Sequence, residues 1–201
     1  MTTMTAFQHL RAWRALLAAG TAALFAASAI AQQHAHVHGR AELNVAVDAQ
    51  TVTVQLESPL DGLLGFERAP RTDTERKRVA DAIKRLQAAD QLFRIDPAAQ
   101  CTLKSVELES EALGLGKDAA TAPQPAAKGP HEHDKKGGHD DEHADIDVTA
   151  VFGCANAAKA RFIDVGLFEA FPRYKAIDAQ VAAPGGQFKP TLTRAAPRLA
   201  W

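Results

Sequence analysis

The sequence predicts an α+β fold of antiparallel strands with a packed helix, arranged as two similar β-β-α halves and interrupted by a histidine-rich insert. Three observations predict it. Several short stretches alternate apolar and polar residues with a period of two, the signature of half-buried strands. One stretch, opening at Thr72, has helical spacing behind a helix-start motif. Between Leu115 and Ile146 no large apolar residue occurs, so that stretch cannot bury enough surface to offset its ordering entropy.

The chain opens with an export signal. Arg11 and Arg14 give a positive start, Ala15 to Ile30 is an apolar and small-residue run, and Ala29-Ile30-Ala31 supplies the small side chains a signal peptidase accepts. The expected cut follows Ala31. The alternative is an uncleaved anchor, but the run is slightly short of the roughly 20 residues a span needs. Cleavage leaves 170 residues with 21 basic and 24 acidic side chains, a formal charge of −3. That length suits one domain, residues 32–201. A mildly acidic chain without a basic patch gives no reason to expect nucleic acid as a partner, and after cleavage nothing predicts membrane attachment.

Each element then has its own warrant. Leu43, Val45 and Val47 alternate with Glu42 and Asn44, and Val52, Val54 and Leu56 repeat the pattern beyond an Asp48-Ala49-Gln50 turn. Together they predict a hairpin, ended by Ser58-Pro59 because proline donates nothing to a ladder. Leu60 to Phe66 predicts a short helical turn on the sheet. Thr72-x-x-Glu75 is a capping box. Val79, Ile83, Leu86 and Phe93 form the inner stripe of the helix behind it, with Asp81 and Arg85 as a favourable i,i+4 pair and Asp96-Pro97 as the stop. Cys101 to Glu109 predicts a strand whose phase slips, which a bulge near Lys104-Ser105 would repair.

The insert spans 112–143. Ile146, Val148, Ala150 and Phe152 resume the strand signal, and Phe162 to Val165 predicts another strand. Leu167 to Phe171 predicts a second short helical turn. Ile177, Ala179 and Val181 alternate, Pro184-Gly185-Gly186 turns the chain, and Phe188 and Leu192 return it. Ala41-Glu-Leu-Asn-Val45 and Ala144-Asp-Ile-Asp-Val148 match in residue class at every position. Each lies behind a histidine, His38 or His143. The match predicts either a duplicated unit or two ordinary amphipathic strands.

Seven of the eight histidines lie beyond the signal, in two clusters: His34, His36 and His38, then His131, His133, His139 and His143. Neutral imidazole is the commonest protein donor to zinc, and histidine-rich tracts are a recognised metal-binding composition. In an extended chain His34, His36 and His38 share one face. On a helical turn His139 and His143 would stand four apart and grip one ion. Asp134, Asp140, Asp141 and Glu142 add oxygen donors. The bland alternative is a solvated linker. The expected metal ligands are His34, His36, His38, His131, His133, His139, Asp140 and His143, and the histidines leading the two matched strands, His38 and His143, are expected to share an ion or to serve two independent weak sites. Zn2+ is the expected ion. Cu2+ or Ni2+ is the alternative, since imidazole sites select weakly among late transition metals; cleavage after Ala31 would also place His34 third from the amino terminus, a planar arrangement suited to those two ions.

Cys101 and Cys154 belong to no Cys-x-x-Cys pair, which excludes a tetrathiolate zinc site and a dithiol redox motif. In an oxidising compartment they most simply form one disulfide; the alternative is a thiolate ligand. No zinc-protease, nucleophile-elbow or phosphate-loop motif is present. The donors lie on segments suited to capture and release, and an enzyme is not expected.

His36-Val-His-Gly-Arg-Ala-Glu-Leu43, Glu57-Ser-Pro-Leu60, Leu64-Gly-Phe-Glu67, Phe152-Gly-Cys-Ala-Asn156 and Leu167-Phe-Glu-Ala-Phe-Pro172, with the acidic, histidine-rich insert between them, resemble the ZrgA family of periplasmic zinc-uptake proteins. The resemblance covers nearly all of the mature chain. It implies an accessory periplasmic protein that captures zinc and helps it reach an importer, directly or through another periplasmic metal-binding protein. The four-histidine insert is short for that family, which argues against a large multi-zinc capacity.

Overall fold

The computed structural model describes residues 38–116 and 144–201. The signal, His34, His36 and the insert residues 117–143 lie outside the described residues. Ten strands and four short or medium helices follow in sequence. They are β1 (Arg40–Val47), β2 (Thr51–Pro59), α1 (Leu60–Leu64), α2 (Asp73–Gln87), α3 (Ala89–Leu92), β3 (Phe93–Ile95), β4 (Cys101–Glu109), β5 (Asp145–Cys154), β6 (Phe162–Val165), α4 (Leu167–Ala170), β7 (Ala176–Ala183), β8 (Gly186–Phe188), β9 (Thr191–Thr193) and β10 (Arg198–Ala200).

The main sheet has the order β4-β5-β2-β1-β7-β8, with β9 also on β7; β10-β6-β3 form a second, three-stranded sheet. Pairing is antiparallel throughout except between β1 and β7, which run parallel. The predicted α+β class and its antiparallel strands stand. The β-β-α order recurs, as β1-β2-α1 and β5-β6-α4, but the pairing is not shared: β2 pairs with β1, whereas β6 pairs with β3 and β10 in the second sheet.

The period-two pattern decides which face is buried. Leu43, Val45, Val47, Val52, Val54, Leu56, Ile146, Val148, Ala150, Phe152, Ile177 and Val181 all point inward. They join Val79 and Leu86 of α2, Phe93, Ile163, Phe168 and Leu199 in one apolar cluster. A fully buried side chain of this kind contributes roughly 1.5–3 kcal/mol, so the cluster fixes the register of every central strand.

The bulge falls where the phase slip places it. The β4–β5 register shifts between Leu103 and Ser105, leaving Lys104 unpaired, and Val106 and Leu108 thereby regain the inner side. Cys101 and Cys154 stand opposite each other in that pair and are joined by a disulfide. The pairing excludes Cys154 and Cys101 as thiolate ligands in this state.

The helix begins as the capping box predicts. Thr72 Oγ1 accepts from the Glu75 amide and Glu75 Oε2 accepts from the Thr72 amide. Two details differ from expectation. The helix ends at Gln87, not before Asp96-Pro97: Ala88 leaves helical geometry, and Phe93-Arg-Ile95 pairs with β6 as a strand. Phe93 is therefore buried from a strand, because a β-branched and aromatic run pairs better than it coils. Asp81 pairs backward with Lys77 at 3.0 Å, not forward with Arg85, whose guanidinium reaches the Ala170 carbonyl at 2.7 Å.

The outer face of the main sheet has a pattern that strand-by-strand reading cannot reveal. Glu109, Asp147, Glu57, Glu42 and Asp178 stand in register across β4, β5, β2, β1 and β7. Asp178 is compensated by Arg40 and by the Thr191 hydroxyl, and its carboxyl is held below the usual range, first by the Arg40 hydrogen bond. Asp147 is pushed the other way, by partial burial and then by the charges of Asp145 and Glu109.

Candidate metal centre

One end of the main sheet collects the start of β1, the end of β2, the start of β5, the end of β4 and the start of β7. His38, the one predicted ligand among the described residues, stands just ahead of β1 at this end. Its turn depends on Gly39, which has φ +80 and would place a Cβ 2.9 Å from the Arg173 carbonyl oxygen. A side chain there would be strained and would collide with backbone. The Gly39 carbonyl accepts from the Lys175 amide at 2.8 Å, which ties the turn to the approach of β7.

Below His38 lies α1. Pro59 ends β2 and α1 starts at once. Gly62 lets it lie against Tyr174, since a Cβ there would meet the ring at 2.5 Å. Tyr174 is buried, and its hydroxyl bonds Ser58 Oγ at 2.6 Å. Burial pushes that hydroxyl's pKa well above its ordinary value, so it is neutral and acts as a fixed post. Gly65, in the left-handed region, closes the helix by donating its backbone N–H to the Asp61 carbonyl oxygen, and the chain turns so that Glu67 comes back alongside.

The outcome is a three-way approach. His38 Nδ1 lies 3.5 Å from Asp61 Oδ2 and 3.5 Å from Glu67 Oε1. The imidazole is 69% exposed, whereas the two carboxylates are only 16% and 15% exposed. Asp61 is held from its other side by Arg173, through Nη2 to Oδ1 and Nε to the main-chain carbonyl, both at 2.9 Å. His38, Asp61, Arg173 and Lys175 line an open depression in the surface.

Chemically this is one imidazole nitrogen beside two carboxylates, residue types that also serve as donors to borderline divalent cations. Among the described residues no group of three or more His, Cys, Asp or Glu side chains could hold a metal ion.

The insert joins the fold at the same end. Ser110 and Leu115 exchange both backbone hydrogen bonds around a turn at the end of β4. On the returning side the Ala144 carbonyl accepts from the Leu60 amide at 2.9 Å, one residue from Asp61. The described residues His38 and Ala144, which border the two histidine-bearing stretches of the sequence, therefore lie at the sheet end that holds Asp61 and Glu67.

A model of the ZrgA family, described as zinc uptake proteins, matches residues 35–201. The chain belongs to the ZrgA family. The match spans the β sheets, the insert and the His38 turn, so this ZrgA-family protein has a function related to zinc uptake. No curated protein matches the chain. Among the described residues no helix is long and apolar enough to cross a membrane.

The structure brings His38 together with two residues that sequence reading did not select. His34, His36, His131, His133, His139, Asp140 and His143 lie outside the described residues. A signal for the missed pair was available in this ZrgA sequence. Asp61 is the sole charge between Glu57 and Glu67, and a lone acid in an apolar turn is a polar group that needs a purpose or a partner.

Proposed function

We propose that the protein captures zinc in the periplasm and passes it toward an importer. The supporting observation is that His38 and Ala144, which border the two histidine-bearing stretches of the sequence, lie at one sheet end in a member of a zinc-uptake family. In this reading the export signal expected from residues 1–31 takes the mature chain, from Gln32, out of the cytoplasm.

In this reading His34, His36 and His38 are one arm and His131, His133, His139, Asp140 and His143 the other. β1 and β5 both pair with β2 and so run parallel to each other, separated by two strand spacings, about 10 Å. That arrangement favours convergence of His38 and His143 on a shared ion. The insert has no large apolar residue between Leu115 and Ile146, a composition that supports capture and release over rigid storage.

The test is a chelator competition with Zn2+, Cu2+ and Ni2+ on untagged mature protein. Stoichiometric zinc binding that survives a competing chelator supports the reading. Binding of copper or nickel without zinc supports the alternative, a copper- or nickel-handling protein.

A further inference from the structure

We infer that the free edge of β4 is a self-association surface, on which a second copy of this chain adds its own β4 antiparallel and joins two main sheets into one. The inference is independent of the zinc-binding reading and uses none of its residues.

An edge strand offers a row of backbone donors and acceptors to another chain, and proteins commonly blunt such edges. The two edges of the main sheet differ in this respect. The far edge is divided between β8 and β9, of three residues each, and Pro190 stands between them with no N–H to offer. β4 runs for nine residues without a proline and, among the described strands, pairs with β5 alone. β3 and β10, the edges of the small sheet, have three residues each.

The core also runs out at β4. Phe152, Ala150 and Val148 of β5 are buried, whereas Leu103, Val106 and Leu108, opposite them in register, are only half-buried on the same side. These three apolar side chains border the free edge, so a strand added there would take further apolar surface out of water.

The bulge decides which strand fits. With Lys104 as the extra residue, Leu103, Val106 and Leu108 hold the inner side and Ser105 and Glu107 the outer side. That order of sides is symmetric about Val106. A twofold axis through Val106 sets Val106 against Val106 of the second copy and Leu103 against Leu108 twice, all on the inner side. On the outer side Ser105 meets Glu107. Lys104 also lies on the outer side, over Gly153, where an added Cβ would meet its Cε at 2.5 Å, and it comes beside the Glu107 carboxylate of the second copy. Apolar pairs and opposite charges thus both recur by symmetry, the self-complementarity an isologous dimer requires.

The experiment is sedimentation equilibrium on oxidised, untagged mature protein, from micromolar to millimolar concentration, with a chelator present so that no metal bridges the copies. The parent is expected to show a reversible monomer–dimer equilibrium. Lys104→Glu and Glu107→Lys are each expected to weaken it roughly 2–30-fold, the effect of two cross-strand charge pairs per dimer. The double variant, Lys104→Glu with Glu107→Lys, is expected to recover most of the loss. Both side chains are exposed, and thermal unfolding checks that each variant folds; if one single variant does not, the other single and the double carry the test. A parent that stays monomeric throughout overturns the inference. A dimer that either single change leaves unweakened, or that the double change does not recover, also overturns it.

Discussion

Glu42 of β1 and Asp147 of β5 stand opposite the same residue, Glu57 of β2. His38 precedes Glu42 by four residues, and His143 precedes Asp147 by four. The two histidines thus hold equal offsets from one cross-strand row, on strands that run the same way. If they share an ion, His38→Ala and His143→Ala will each weaken zinc binding, and the double variant will lose much less than the sum. A double-mutant cycle on zinc affinity reads this. Strict additivity, or loss of separate zinc equivalents, would contradict a shared ion.

The same row makes a stability prediction. Like charges directly opposite on neighbouring strands destabilise a sheet. Asp147 has its carboxyl pKa raised by partial burial and by Asp145 and Glu109. A raised folded-state pKa means the charged form is disfavoured by folding. The penalty is present above the folded pKa and is relieved as pH falls through it. Asp147→Asn should therefore stabilise the protein at neutral pH by about 0.2–1 kcal/mol, the range of one cross-strand pair, and the gain should shrink in acid. Urea unfolding at pH 7 and pH 4 measures both.

The helix start titrates in the opposite direction. Glu75 is held down to about 2, first by the Arg68 guanidinium, then by the Arg71 amide. A depressed folded-state pKa gives stability that is full above the ordinary carboxylate range and is lost as pH falls toward 2. NMR titration of the Glu75 side chain should show it ionised well below its neighbours. Thr72→Ala should cost about 0.5–2 kcal/mol as a lost cap, read by denaturant unfolding.

The disulfide joins opposed positions on β4 and β5, at the end of that hairpin remote from the insert. Replacing Cys101 and Cys154 together should cost about 2–4 kcal/mol, since the crosslink restrains a long loop in the unfolded chain. The denaturation midpoint of the double alanine variant checks this. Zinc affinity should change little, because neither sulfur lies in the site.

Much of this fold is legible in the sequence because it is written with a period of two. β1, β2, β5 and β7 each alternate over several residues, and their inner faces follow directly. The bulge at Lys104 could be inferred because Cys101-Leu103 and Val106-Leu108 fall on opposite parities. β3 and β10 were not legible: each has only three residues, too few for a period, and their pairing with β6 is a tertiary fact. The site divides the same way. His38 stands out because histidines cluster. Asp61 and Glu67 do not, since their meeting with His38 depends on where α1 packs under Tyr174 and how the Gly39 turn hangs above it.

The most direct test of the account is zinc bound per chain at equilibrium, measured on untagged mature protein against a chelator of known affinity, with and without residues 117–143. The account predicts at least one zinc equivalent held by the complete chain and a loss of affinity or capacity when 117–143 is removed from a protein that still folds. A complete chain that yields all its zinc to a weak chelator, or a deletion that leaves both affinity and capacity unchanged, would contradict it.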